Sequence, residues 1–323
     1  MNIRSLWTLI LISAAALAVD VAVAQDFPSK TVRLVVPFPP GGAVDILGRA
    51  VGPPLSRALA QNVVVDNRPG GNTVIGAELV MRAPADGHTL LLMAPSFTIN
   101  PFVRSKLPYD TVKDFAGVTR LASTALVISV HPSLPARNLK ELVALARARP
   151  GELTYGTASI VGRQRMAMEM FKDVARIDII SVPYGGGALA TMAVVGGHTS
   201  MLVVNVAEVA TQVAAGKLRA LAVTSLTRSD LLANVPTVAE SGFPGFEALN
   251  WFGAVTRAAT PRTAIDRMSA EIARALQLPE VKDGLNKLGL SPAAMSPEQF
   301  DAFLRDEMQS NGKIIKALKL KID

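Results

Sequence analysis

Residues 32–42 have the sequence VRLVVPFPPGG, in which a short apolar run ends in a loop of prolines and glycines. The run Val32–Val36 predicts a buried β-strand, because branched aliphatic side chains favour strands and so short a run does not suit a helix. Apolar residues at helical spacing follow from Val44 to Ala60, where Gly52-Pro53-Pro54 predicts a kink or a break. A strand, a loop and a helix in this order are typical of an α/β fold with a mostly parallel sheet.

The same alternation of strand and helix continues along the chain. It restarts at Leu126 and is followed by one more strand over 250–256 and three helical patterns. We therefore predict two lobes, each a mostly parallel sheet flanked by helices, with a hinge that the chain crosses more than once. Lobe 1 is expected to comprise 26–125 plus 250–323, and lobe 2 to comprise 126–249.

The composition excludes several classes of protein. Half of the 323 residues are hydrophobic and 18% are charged, which is the balance of a globular chain with sizeable cores and not of a disordered one. The chain has no cysteine and three histidines that are far apart. Disulfides, thiolate metal sites, Fe–S clusters and a cysteine nucleophile are therefore excluded, and we expect no metal.

The net charge of +7 does not come from a nucleic-acid site. The basic residues are dispersed, and aromatic residues for stacking on bases make up 5% of the chain. The densest group, Lys313 to Lys321, alternates with isoleucine and leucine. We interpret it as the solvated face of an amphipathic helix rather than as a nucleic-acid patch.

The first 24 residues are predicted to be a signal peptide. Arg4 precedes an apolar run over 6–19, and Ala22-Val23-Ala24 forms a small-residue cleavage site. An uncleaved membrane anchor is the alternative, although this run is short for crossing a bilayer of about 30 Å. Export to the periplasm makes a cofactor enzyme less plausible, and we expect no cofactor.

Loops rich in hydrogen-bond donors follow three of the predicted strands and precede helices, two with runs of glycine and one with two hydroxyl donors. They lie at 37–42, 156–159 and 184–187. Ligands of parallel sheets bind beyond the carboxyl ends of the strands, and helix N-termini favour anions. We expect a clamp for a small anion, with plain strand–helix turns as the alternative. Asp45 either complements the helix dipole or holds a water or a ligand donor group.

Catalytic motifs are missing from the sequence. The stretch 71–76 has the glycine spacing of a P-loop, but Ala77 stands where the lysine is required. No G-x-S-x-G nucleophile elbow occurs. We therefore predict binding without catalysis.

Several motifs in the same order resemble those of the substrate-binding proteins of tripartite tricarboxylate transporters, the Bug family of periplasmic receptors. The resemblance covers nearly all of the chain beyond the predicted signal peptide. Its motifs are FPSK at 27–30, VRLVVPFPPGG at 32–42, VVDNRPG at 64–70, APADGHTL at 83–90, INP at 99–101, VPY at 182–184, GKLRALAVT at 216–224 and NVPTVAESG at 234–242.

The resemblance implies a two-lobe periplasmic binding protein fold that closes on a small carboxylate. Family ligands are di- or tricarboxylates, related organic acids, acidic amino acids, aromatic carboxylates or nicotinate-like molecules. The implied partners are the organic acid and the membrane transporter subunits, with a monomeric receptor. A ligand-sensing partner of a membrane signalling protein and, less plausibly, an exported enzyme acting on an organic acid remain as alternatives.

The expected ligand-binding residues come from both lobes. Lobe 1 supplies Phe38, Pro40, Gly41, Gly42, Asp45, Pro95, Ser96, Thr98 and Trp251, and lobe 2 supplies Gly156, Thr157, Ser159, Arg163, Tyr184, Gly185, Gly186 and Asn205.

Lobe 2 departs from the family pattern, so the resemblance does not fix the ligand. Family members often have a basic residue where this chain has Gly185 and an aspartate near Ser200. Arg163 would contact a second carboxylate or make a surface salt bridge, and an arginine at a helix N-terminus needs a partner in either case. Trp251 would be a cleft wall or a core residue.

Overall fold

The computed structural model describes residues 27–158, 160–184 and 186–320. The predicted signal peptide at 1–24 and the candidate site residues Ser159 and Gly185 lie outside these ranges.

Strands and helices alternate through most of the chain. The strands are β1 (Val32–Val36), β2 (Val63–Asn67), β3 (Thr89–Met93), β4 (Phe115–Val130), β5 (Thr154–Thr157), β6 (Ile180–Pro183), β7 (Met201–Asn205), β8 (Arg219–Val223), β9 (Leu249–Arg257) and β10 (Ser291–Pro292). The helices are α1 (Ala43–Leu59), α2 (Val74–Arg82), α3 (Ser96–Val103), α4 (Leu139–Ala148), α5 (Arg163–Ala175), α6 (Gly187–Val195), α7 (Val206–Ala214), α8 (Arg262–Gln277), α9 (Pro279–Asn286) and α10 (Pro297–Leu318).

The first lobe is built on the strand order β2-β1-β3-β9-β4. Strand β1 pairs in parallel with β2 and with β3. Strand β9 runs antiparallel to β3 and to the first part of β4, so β4 points the same way as β1 to β3. Helices α1, α8 and α9 cover one face of this sheet, and α2, α3 and α10 cover the other.

The second lobe repeats the plan with the order β6-β5-β7-β4-β8. Strand β5 pairs in parallel with β6 and β7, whereas β7 and β8 both run antiparallel to the last part of β4. Each lobe is therefore a mostly parallel sheet with helices on both faces. The opposed strands are β9 and the two-residue β10 in the first lobe and the last part of β4 in the second. The predicted two-lobe α/β fold is confirmed.

Strand β4 belongs to both sheets and determines how they face each other. Its pairing changes from Ala125 opposite Leu249 to Leu126 opposite Asn205. The carboxyl ends of β1 to β3 point along β4 towards this crossing, and the carboxyl ends of β5 to β7 point back towards it. The loops that follow these strands therefore meet at the crossing from opposite sides.

Helix α1 corrects one expectation from the sequence. Pro53 and Pro54 lie inside a single helix over Ala43–Leu59, with no break between two helices. Its buried face, which includes Leu47, Val51 and Leu55, packs in the main core of the first lobe. This burial offsets the backbone hydrogen bonds that the two prolines remove.

A buried ion pair between two helices connects the two lobes and is hydrogen-bonded to strand β9. Arg163, at the start of α5, donates from Nη1 to both carboxylate oxygens of Glu307 on α10, at 3.2 and 3.3 Å. Its Nε donates to the carbonyl of Leu249 at 2.6 Å, and Trp251 Nε1 donates to Glu307 at 2.9 Å. The side chains of Arg163 and Glu307 are 8% and 12% exposed, so water screens the pair little.

Removal of this carboxylate tests the inter-lobe contact. Glu307→Gln leaves the Arg163 guanidinium buried without its counter-charge, and we expect it to lower the free energy of unfolding by about 3–5 kcal/mol. The matched control is Asp266→Asn, which breaks the half-exposed pair with Arg262 and should cost under about 1 kcal/mol. Urea denaturation measures both, and equal losses for the two variants would contradict the assignment.

Candidate functional site

The loops at the lobe crossing form the candidate site. The first lobe contributes the exposed turn at 39–42 and the start of α3 at Pro95. The second lobe contributes the ends of β5 and β6 and, at the end of β7, Asn205. All of these segments lie at carboxyl ends of strands, where open α/β sheets bind ligands.

Asp45 fixes the geometry of the first-lobe loop. Its carboxylate is almost fully buried and accepts hydrogen bonds from the Gly41 N–H, Arg49 Nε and Asn67 Nδ2, each at 2.9 Å. Asn67 Nδ2 also donates to the carbonyl of Phe38 at 3.2 Å. Asp45 therefore ties β1, β2 and the turn into one unit, with a positioning role that the sequence did not reveal.

The hydrogen bond from Arg49 is the main reason why the pKa of Asp45 falls to about 2, with further help from Gly41 and Asn67. The carboxyl is thus ionised throughout the neutral range. The three protein donors that its oxygens accept from hold the turn in its shape.

The start of α1 presents unused backbone donors beside this turn. Gly42 is the N-cap residue, is exposed, and provides no side chain to accept from the first turn. Gly41 has a φ of 85°, a conformation that side chains disfavour. Free N–H groups and the positive end of the helix dipole make this a favourable place for a carboxylate. Phe38 is half-buried against the core, and Pro40 is exposed.

Hydroxyl groups lie in the loops of both lobes. The hydroxyls of Ser96 and Thr157 are buried and have no hydrogen-bond partner within the described residues, so they are available to a ligand or to water. Thr98 differs, because its hydroxyl donates to the carbonyl of Pro95 at 3.0 Å and accepts from Asn311 on α10 at 3.4 Å. Both hydrogen bonds of the Thr98 hydroxyl are therefore made within the protein.

In the second lobe, several predicted residues form the framework of the loops. Gly156 is buried, and a Cβ at this position would make ordinary van der Waals contacts with Ala190 of α6 and with Thr199 of its following loop. The backbone of Tyr184 donates to the carbonyl of Thr157 at 2.8 Å, which joins the ends of β6 and β5. Gly186 has a φ of 155° and caps α6.

Arg163 and Trp251 lie in the contact between the lobes. Glu307 is the partner that the helix-dipole argument required for Arg163, and the guanidinium uses Nε and Nη1 within the protein. Trp251 is 1% exposed and packs edge-on against Phe300 and Phe303. These positions favour the core interpretation of Trp251 and give no support to a direct ligand contact of either residue. The salt bridge of Arg163 is buried, and not at the surface as the alternative to a ligand contact had it.

Glu208, in the first turn of α7, is a residue of this site that the sequence reasoning missed. One carboxylate oxygen accepts a hydrogen bond from Asn205 Nδ2. The other oxygen is buried next to Gly187 and lacks a partner among the described residues. Burial raises the pKa of the Glu208 carboxyl above its ordinary value. An Asn-x-x-Glu spacing after a strand gave the only sequence signal, and it is a common capping pattern.

Other types of site find no support within the described ranges. No group of three or more histidine, aspartate or glutamate side chains there has the arrangement of a metal site. In the same ranges, the helices are too short or too polar to span a bilayer. A groove of about 930 Å³ lies between α4, α5 and the end of α10, and none of the candidate residues lines it.

The role of Asp45 predicts a pH-dependent stability. Asp45→Asn should lower the free energy of unfolding at pH 7 by about 1–2 kcal/mol, since it weakens charge-assisted hydrogen bonds of which one partner, Arg49, is exposed. The folded-state pKa is depressed, so the contribution is complete above about pH 4, the unfolded value, and is lost as the pH falls through about 2.

Denaturant titrations at pH 7, 4 and 2.5 measure this effect, with Asp266→Asn as the exposed control. The difference between wild type and Asp45→Asn should shrink towards the lowest pH. A difference that stays constant over this range would contradict the prediction.

Comparison with known proteins identifies the family. The model described as "Tripartite tricarboxylate transporter family receptor" (TctC) matches residues 47–320. The UPF0065 protein in the tcbD-tcbE intergenic region of Pseudomonas sp. strain P51 is 36% identical over 295 residues, which is 91% of this chain and 88% of that protein. Protein BugT of Bordetella pertussis is 31% identical over 315 residues, which is 97% and 96% of the two chains.

Two solved structures agree with this relationship. A periplasmic transporter structure is 35% identical with a TM-score of 0.76 and covers 92% of this chain and 100% of its own. R. palustris Rpa4515, solved with adipate, is 32% identical with a TM-score of 0.77 and covers 90% and 98%. The chain belongs to the TctC family of tripartite tricarboxylate transporter receptors, which are periplasmic solute-binding proteins.

Proposed function

We propose that this protein is an exported periplasmic receptor that binds a small organic carboxylate between its lobes and delivers it to a tripartite tricarboxylate-type membrane transporter. The observation that carries the proposal is the meeting of strand-end loops from both sheets where β4 crosses. The bound adipate of Rpa4515 supports a carboxylate as the ligand. We expect a monomer with no catalytic activity, exported by the signal peptide at 1–24.

The lobes are proposed to divide at the change of pairing in β4. Lobe 1 would comprise 26–125 and 250–323, and lobe 2 would comprise 126–249. The boundary between Ala125 and Leu126 is supported by the register, and the return at Asn250 by the pairing of β9 with β4. Bending of the two crossing segments would open and close the cleft.

One carboxylate of the ligand is proposed to bind at the start of α1. Gly42 and Ser96 would supply donors from lobe 1, with Asp45 holding the turn in place through the Gly41 N–H. Loops of lobe 2 around Thr157 and Gly186 would contact the rest of the molecule. The positive end of α1 and the exposure of the turn support this orientation.

Two substitutions at Gly42 separate an effect of charge on ligand binding from an effect on folding. Its φ of −78° accepts a side chain, and both aspartate and asparagine are better N-caps than glycine. We expect Gly42→Asp to bind carboxylates at least about tenfold more weakly than Gly42→Asn, because only the aspartate repels the anion at this position.

Thermal shift and calorimetric titration against a panel of mono-, di- and tricarboxylates measure binding by both variants and the wild type. A ligand at a hundredfold excess over its Kd should stabilise the wild type by about 2.7 kcal/mol. Equal affinities of the two variants would contradict the carboxylate position, and turnover of a bound acid would favour an enzyme instead.

A further inference from the structure

We propose that Glu208 makes the second-lobe half of the ligand site a hydrogen-bond acceptor, so that the preferred ligand is a monocarboxylate whose other end carries an O–H or N–H donor. This inference rests on the proposed function and specifies its ligand class. A second carboxylate at that end would be disfavoured, which distinguishes this chain from a receptor for dicarboxylates.

The position of Glu208 places it among the ligand-facing loops. It lies on the first turn of α7, directly after β7, whose end pairs with the crossing strand at Leu126. Its carboxyl contacts Gly187 at the start of α6, which follows the glycine loop at the end of β6. Glu208 is thus shared by two strand-end loops of the second lobe.

A chain of hydrogen bonds determines which groups donate and which accept between Trp251 and Glu208. The backbone N–H of Trp251 donates to Asn250 Oδ1 at 3.0 Å, so the Nδ2 of Asn250 is free to donate to Asn205 Oδ1, at 3.1 Å. The side-chain amide of Asn205 then donates from Nδ2 to Oε1 of Glu208. Because the chain starts at a backbone donor, Oε1 of Glu208 must accept. Oε2 has no partner among the described residues, and it is an acceptor when the carboxyl is ionised.

The lack of a side chain at Gly187 leaves space for the carboxyl group of Glu208. A Cβ built on residue 187 would overlap Oε2 of Glu208, so only glycine lets this oxygen lie against the start of α6. Burial raises the pKa of the Glu208 carboxyl, and this effect outweighs the hydrogen bonds from Asn205, which lower it. A buried oxygen that lacks a partner costs free energy until a donor reaches it, and a ligand donor would supply that partner.

The charges nearby favour the same ligand class. Within the described ranges, no ion pair involves Glu208, and the two arginines at the start of α5 are paired elsewhere: Arg163 with Glu307 and Arg165 with Glu169. A second carboxylate of the ligand would therefore face a carboxyl group without a compensating cation. A hydroxyl, amide or ammonium group would instead donate to it.

The test compares acids that differ only at the far end. Succinate, 4-hydroxybutyrate, succinamate and 4-aminobutyrate form a four-carbon series, and adipate, 6-hydroxyhexanoate, adipamate and 6-aminohexanoate form a six-carbon series. Calorimetric titration of the wild-type protein should give, in the series that fits the cleft, at least tenfold tighter binding of a donor-ended acid than of the dicarboxylate. The neutral and ammonium-ended acids distinguish a hydrogen-bond donor from a cation.

Glu208→Gln replaces the acceptor with an amide that can donate, at nearly the same size. We expect it to reduce the preference for donor-ended acids at least tenfold and to bind the dicarboxylate more tightly than the wild type does. Glu280→Gln on α9, exposed and in the first lobe, makes the same change of net charge and should leave the preference unchanged. If Glu208→Gln does not fold, Gly187→Ala takes its place in the test. It displaces the Glu208 carboxyl and should also reduce the preference for donor-ended acids.

The outcomes separate this inference from the proposed function. Wild-type protein that binds the dicarboxylate as tightly as the donor-ended acids, or a preference that Glu208→Gln and Gly187→Ala leave intact, would overturn the role of Glu208 while a carboxylate receptor stands. A wild-type protein that binds neither these acids nor any member of the wider carboxylate panel would overturn the proposed function itself.

Discussion

The ladder of backbone hydrogen bonds along β4 is the constraint on which the rest of the molecule depends. One strand of 16 residues pairs first with β9 and then with β7 and β8, and the change falls between Ala125 and Leu126. Both sheets are mostly parallel, so a common strand brings their carboxyl ends together. The loops of the candidate site face each other because this register allows no other arrangement.

The two halves of the site are prepared in different ways. In the first lobe a buried aspartate takes up three donors and holds a glycine turn beside a helix N-terminus, which leaves positive potential for a carboxylate. In the second lobe a chain of oriented amides ends at the Glu208 carboxyl, whose other oxygen has no partner among the described residues. The ligand that we propose satisfies both halves with an anionic end and a donor end.

Local patterns predicted the fold and the first-lobe turn, because strand runs, helical spacing and glycine loops depend on neighbours in sequence. Interactions over long separations were not predictable in this way. The partner of Arg163 is 144 residues away, and its burial changed an expected ligand contact into a contact between lobes. The sequence did not reveal Glu208, because the burial of its carboxyl depends on the close approach of Gly187 from another helix. The helix break expected at Pro53 did not occur, since packing of the buried face outweighed the local cost.

A crystal structure of the protein with the acid that binds it most tightly tests the central claim most directly. The account predicts the carboxylate within hydrogen-bond distance of the N–H groups at the start of α1, and the rest of the molecule against the ends of β5, β6 and β7. A ligand bound in the groove between α4, α5 and α10, or on one lobe alone, would contradict the account.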